Sequence, residues 1–411
     1  MALEVTWRPA ACAAALLALA CGAPTPELAV GELREVVHPG VLHQVHVSEP
    51  ALAVAPDGAL QIAWIRADAD GRHVWTQRLD GAGPSEPVRV DPAGTAVASG
   101  HQAPGLAVAP DGAVHLSWSS SRPQAESPFA SDLRLSTSRD GGKSFGPPLR
   151  VSLDEPGARG FEGIAVDAAG TVILAWIESS GPAAATALAR IGADGAPIAP
   201  PIRLGARTCP CCRVGVATGP GGRVGVVWRD ELPDAVRDMV VARSDDGGRS
   251  FGAAGLVHAD GWSLAACPHR GGALGFDAQG GALAAWYTEG EDRTPELRLA
   301  RAESGAEFEA PRRVHEIPGA LPDRVALALR PDGSGLLVWE SVTPVRSEIA
   351  ARAVREGGRN LGPVRILSRA VKAHGPAVAL LPTGEFAVAW NEEAFPALRT
   401  VVLPVSPGAR R

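Results

Sequence analysis

Residues 208–216 read T-C-P-C-C-R-V-G-V, which places Cys209, Cys211 and Cys212 within four positions of a chain that has six cysteines. A related stretch, C-P-H-R at 267–270, pairs Cys267 with His269. Thiols and imidazoles at such spacings support two chemistries. One is a disulfide, with Cys267 pinned to one of the three clustered cysteines. The other is a soft metal site, in which thiolate and imidazole bind Zn²⁺ or Cu⁺. The two coexist if one bridge forms and the remaining cysteines and histidines stay available.

The elements that must position these groups emerge from an internal repeat. ALAVAPDGALQIAW (51–64), GLAVAPDGAVHLSW (105–118), GIAVDAAGTVILAW (163–176) and VGVATGPGGRVGVVW (214–228) share one pattern. It continues as ALGFDAQGGALAAW (273–286), VALALRPDGSGLLVW (325–339) and AVALLPTGEFAVAW (377–390). The units end at Trp64, Trp118, Trp176, Trp228, Trp286, Trp339 and Trp390. Alternating apolar residues around D-G, A-G or T-G turns predict a hairpin in each. A third run such as DLRLSTS and a Pro-led fourth run such as PPLRV follow. Four strands per repeat of about fifty residues predict blades of an all-β propeller, because one such sheet cannot bury both faces alone. Seven blades is the expectation and six the alternative. The last unit has three runs, ending at 400–405, so LREVV (33–37) is expected to supply its fourth strand and close the ring.

In a propeller the first strand of each blade lines the axis, and the segments leading into it open on one face. Those segments carry His46, His101, Cys209, Cys211, Cys212, Cys267, His269 and His374, eight metal-ligand types converging from different blades. Glu178, Arg229, Asp230, Glu289, Glu340, Glu392 and Glu393, after the second strands, are expected as rim groups. The stretch WRDELPDAVRD (228–238) is expected to be a solvated loop with surface ion pairs.

The N-terminus carries its own signal. Arg8 precedes an apolar run, 10–20, too short to span a bilayer. It ends in L-A-L-A-C-G, which resembles the lipobox of bacterial lipoproteins. The resemblance implies lipidation at Cys21 and a membrane-anchored protein facing the periplasm or cell surface. An ordinary cleaved signal peptide is the alternative, and both imply export. The organisation expected is a signal peptide over 1–21, a tether over 22–32, one propeller domain over 33–405 and a tail over 406–411. The net charge of −6 offers no basis for a nucleic-acid partner; a glycan or an envelope protein is expected instead.

SRDGGKSF (138–145) and SDDGGRSF (244–251) both fit S-x-D-x-G-x-S-F. They resemble the Asp box, or BNR repeat, of bacterial sialidases and related propellers. Ser138, Asp140, Gly142 and Phe145, with Ser244, Asp246, Gly248 and Phe251, are expected to be structural, bonding and plugging a tight turn. The resemblance also implies a catalytic set of an arginine triad, a Tyr–Glu nucleophile pair and an acid/base aspartate. Arg213, Arg270 and Arg324, leading into three successive blades, match the triad, and Tyr287 with Glu289 matches the pair. No F/Y-R-I-P motif is present. The function expected is a binding or scaffold protein of the cell envelope with a Cys/His-rich axial site. The alternatives are an exo-sialidase-like glycoside hydrolase and a metal-dependent enzyme.

Overall fold

In the computed structural model the described residues are 28–38, 46–97, 102–123, 125, 127–152, 157–179, 184–394 and 397–407. The signal peptide, Cys21 and His101 lie outside them. Among the described residues no helix is long and apolar enough to cross a membrane.

Seven antiparallel sheets form the ring, one per repeat. Their inner strands are Ala51–Val54, Gly105–Val108, Ala158–Val166, Gly215–Thr218, Gly272–Phe276, Leu321–Leu329 and Ala373–Leu380. Each touches the next, and the seventh touches the first. The fourth-strand role in blade seven is filled from the N-terminus. Arg34–Val37 pairs with Ala397–Pro407, as expected. Leu28–Val30, within the stretch read as a tether, pairs with the same strand.

The middle strands are buried on both faces, one against each neighbouring blade: Ile62 and Trp64 face blade seven, and Ala63 and Ile65 face blade two. The core is therefore seven wedges rather than one centre. Ile62 and Trp64 pack on Ala387, Ala389 and Val402 between blades one and seven. Ile173 and Ile177 pack on Val226 and Trp228 between blades three and four. All seven repeat-ending tryptophans are at most 1% exposed, which explains why this residue type marks the repeat.

Both Asp boxes are turns between third and fourth strands. Asp140 Oδ1 accepts from the N–H groups of Lys143 (3.0 Å) and Ser144 (2.9 Å), and Ser138 Oγ accepts from Gly142 N–H (2.8 Å). Asp246, Ser244 and Gly248 repeat this arrangement. Hydrogen bonds from the Ser144 and Ser250 hydroxyls, with those of the turn backbone, hold both aspartates well below the usual carboxylate range. Phe145 and Phe251 plug the wedges beneath. Ser138 pairs with Val114, the start of its second strand. The turn therefore lies on the face opposite the segments that lead into the inner strands.

Near the axis, backbone approaches backbone. A Cβ on Gly163 would meet the Val214 carbonyl oxygen at 2.3 Å, and one on Gly215 the Gly272 carbonyl oxygen at 2.6 Å. Gly163→Val is expected to destabilise the fold by about 3 kcal/mol through overpacking, read as a lower midpoint in urea unfolding. An unchanged midpoint would show that the inner strands can separate.

Candidate functional site

The inner strands enclose a cavity of about 270 Å³ at their leading ends, and all seven blades line it. Its volume sits at the lower end of small-molecule sites. Its charged lining is Glu49, Arg213, Arg270 and Arg324, beside His269. Backbone irregularities aim these groups. Inner strands of blades three, six and seven break register at Gly160/Gly163, Asp323/Ala326 and His374/Ala377. Such bulges re-aim side chains. Phe161 (φ 56°), His269 (φ 56°) and Arg324 (φ 46°) hold left-handed backbone conformations here. Strain of this kind in non-glycine residues collects at functional sites.

The structure brings the three expected arginines together, each already engaged. Arg213 Nε donates to the Glu162 carbonyl (3.0 Å). Arg270 Nε lies 3.3 Å from Asp323 Oδ1. Arg324 contacts Glu49, and its Nη1 donates to Glu340 Oε2 at 2.5 Å. Burial pushes the Glu49 carboxyl up to about 7, against the pull of Arg324 and Arg213 and helped by Glu340 and Asp323. Burial also raises Glu162.

Tyr287 and Glu289 are in contact, with the phenol donating to Glu289 Oε1 at 2.7 Å. Tyr287 is 3% exposed. The Arg270 guanidinium covers its ring at 4.2 Å, and Trp262 meets it edge-on at 5.4 Å. The phenol stands behind Arg270 and does not line the cavity. Burial, then the bond to Glu289, pushes its ionisation up.

Cys209, Cys211 and Cys212 form a buried cluster beside this mouth, 0%, 5% and 0% exposed. Cys209 Sγ lies 3.7 Å from Cys211 Sγ and 3.6 Å from Cys212 Sγ, with Phe161 packed on them. Burial opposes ionisation of Cys212, but hydrogen bonds from Cys209 and Cys211, the Arg229 charge and the Arg270 N–H hold it well below an ordinary thiol. Contact with Cys211 lowers Cys209, yet its bond to Cys212 and burial push it up to about 11.

Three expectations are corrected here. Cys267 does not join the cluster: the four described cysteines are free thiols, and Cys267 is exposed. The two segments are neighbours, since a Cβ on Gly271 would strike the Arg213 carbonyl oxygen. The positive φ of His269 instead turns its imidazole toward Phe161, 6.4 Å away. Nor do the histidines join it: among the described residues only the three cysteines gather at ligand distance. His46 is exposed. His374 pairs with Asn391 across the seventh blade, where burial lowers its basicity.

The third correction concerns the rim. Glu178, Arg229, Glu340 and Glu392 are buried, as are Arg237 and Asp238 of the supposed solvated loop. Arg229, expected at the rim, is fully buried, a placement that sequence reasoning missed. Its Nε donates to the Arg270 carbonyl (3.1 Å), its Nη2 to the Tyr287 carbonyl (2.7 Å) and its Nη1 to the Arg237 carbonyl. It also lies 4.8 Å over the Trp262 ring. One guanidinium thereby fixes the backbone of both mouth residues and faces the thiol cluster. The available signal was its column: Ile65, Ile177 and Tyr287 occupy the same place after the repeat tryptophan, and all are buried.

Among the four described cysteines of the native protein, iodoacetamide is expected to label Cys267 alone, with Cys209, Cys211 and Cys212 reacting only after denaturation, as read by mass spectrometry. Equal labelling of all four would contradict the buried cluster.

No protein-family model and no curated protein matches the sequence. Solved structures match in fold. A Dyadobacter fermentans protein of unknown function has a TM-score of 0.56 at 16% identity, covering 93% of this chain and 100% of that one. An ulvan lyase of a polysaccharide lyase family has a TM-score of 0.59 at 10% identity, covering 89% and 95%. A Penicillium chrysogenum α-L-arabinanase has a TM-score of 0.51 at 13% identity, covering 92% and 98%. The chain is thus a seven-bladed propeller similar in fold to carbohydrate-active enzymes.

Proposed function

We propose that this chain is an exported binding protein that holds an acidic saccharide in its axial mouth. The observation that carries this reading is the convergence of Arg213, Arg270 and Arg324, from three successive blades, on one cavity. Guanidinium is suited to carboxylate or sulfate because its donors match two oxygens at once. Glu49 supports the reading, because near neutrality a carboxyl raised to about 7 is readily protonated. Its protonation removes one of the two carboxylate charges on Arg324, leaving Glu340, and so makes the mouth more favourable to an incoming anion. The ulvan lyase of similar fold was solved with a bound GlcA–Rha3S saccharide, which carries a uronic acid and a sulfate. The N-terminal apolar run is consistent with export.

Calorimetric titration of uronate-containing oligosaccharides against their neutral counterparts tests this. The acidic series is expected to bind at least about tenfold more tightly, roughly 1.4 kcal/mol. Arg270→Met is expected to weaken it by about ten- to a hundredfold, the loss of one charge-assisted contact. Equal affinity for both series would overturn the proposal. The pH dependence has a fixed sign. Below about 7 Glu49 is neutral and the mouth more positive, while the ligand carboxylate stays ionised. Affinity is therefore expected to rise by up to about tenfold from about pH 8 to about pH 6, and Glu49→Gln to flatten that slope.

The Tyr287–Glu289 hydrogen bond favours a second reading, glycoside hydrolysis with Tyr287 as nucleophile. The cover of Arg270 over the Tyr287 ring and the ion pairs of Arg324 weigh against it. Turnover of a fluorogenic sialoside that Tyr287→Phe abolishes would restore it.

A further inference from the structure

The cysteine cluster takes no part in saccharide recognition as proposed, and its surroundings carry an electrostatic imbalance. Arg229 is 0% exposed, and its side-chain hydrogen bonds go to three neutral carbonyls. A buried charge without a counter-charge is costly. Among the described residues no carboxylate lies within ion-pair distance of it. Asp238 lies in its field, and its two oxygens accept from the N–H groups of Gly261 (3.0 Å) and Trp262 (3.2 Å). The thiol cluster adjoins Arg229, whose carbonyl accepts from the Cys209 N–H at 2.9 Å. A thiolate centre there places negative charge against the guanidinium, which its three carbonyl partners do not.

The sulfur geometry points the same way. A cation with metal–sulfur bonds of about 2.3 Å spaces its sulfurs by about 3.8 Å when tetrahedral and about 4.0 Å when trigonal. The observed 3.6 and 3.7 Å lie within a few tenths of an ångström of both. Donor number decides between them. Among the described residues no fourth Cys, His, Asp or Glu joins the group, and burial keeps solvent from supplying a fourth ligand. Structural Zn²⁺ requires four ligands, whereas soft Cu⁺ is satisfied by three thiolates.

We propose that Cys209, Cys211 and Cys212 form a three-thiolate Cu⁺ site, with Arg229 as its buried counter-charge. Binding releases the thiol protons and leaves an anionic centre against the guanidinium, without change of oxidation state. The same guanidinium holds the Arg270 and Tyr287 carbonyls, so the centre braces the wall of the axial mouth.

The test uses the full chain, reduced under anaerobic conditions. Cu⁺ is titrated against a chromophoric chelator, and thiolate-to-copper absorption is followed in the ultraviolet. One Cu⁺ per chain is expected. Cys267→Ser should keep that stoichiometry and Cys212→Ser should lose the band. Arg229→Met should weaken binding by about ten- to a hundredfold, as removal of an outer partner does. A second readout needs no variant. After brief partial denaturation, Cu⁺ should protect the three cysteines of the unsubstituted chain from alkylation and leave Cys267 reactive. Uptake that Cys267→Ser abolishes would overturn the site. So would a Cys–Cys bridge that excludes the metal after reduction, or displacement of Cu⁺ by equimolar Zn²⁺.

Discussion

Seven strands must pass one axis, and the room there is set by backbone rather than by side chains. Gly163 and Gly215 lie where a methyl group would strike the adjacent blade's carbonyl. That closeness dictates the rest. Large side chains are pushed outward into wedges between blades, where the repeat tryptophans sit fully buried. A hollow remains at the far ends of the strands, beside Val54, Val108 and Leu380, and the charged cavity lies where the strands begin. There the chain bulges or turns left-handed at Phe161, His269 and Arg324. The cavity exists because the inner strands diverge there, and its chemistry is whatever those departures deliver.

Much of this was legible in the sequence. Trp64 through Trp390 announce the blade number because each fills the same wedge, a requirement of size and shape that few residues meet. The convergence of Arg213, Arg270 and Arg324 followed from their shared place before an inner strand. The candidacy of Tyr287 with Glu289 came only from the sialidase resemblance, and residue spacing alone did not assign it a role. Cys267 and Arg229 were not legible, for different reasons. The place of Cys267 depends on the backbone direction of Pro268 and His269, and a left-handed turn leaves no mark in residue type when glycine is not used. The burial of Arg229 depends on the 231–238 segment and Trp262 folding back over a strand end. Periodicity assigns a residue to a strand but says nothing of what later covers its tip.

Arg229 also explains why the mouth and the thiols form one unit. Carbonyls from blade four's outer loop and from two positions of blade five meet on a single guanidinium. Replacing any one of those partners would leave a buried cation short of an acceptor, which costs more than the bond itself contributes. The arrangement ties the geometry of Arg270 to that of residues outside the cavity. In the neighbouring blade six, Arg324 is held differently, between the carboxylates of Glu49 and Glu340. Titration of Glu49 therefore adjusts one side of the mouth.

Ring closure imposes an order on biosynthesis. Six blades are each assembled from one contiguous stretch of chain, but the seventh joins Leu28–Val30 and Arg34–Val37 to Ala397–Pro407. As the nascent chain emerges, blades one to six can form in turn, whereas residues 28–37 must wait for almost the whole of translation before their partner strand exists. Until then Ile62 and Trp64 lack the Ala387, Ala389 and Val402 surface that covers them in the finished ring. The last strand made is the one that shields the first blade, so a chain released a few residues early leaves an open wedge at both ends of the ring.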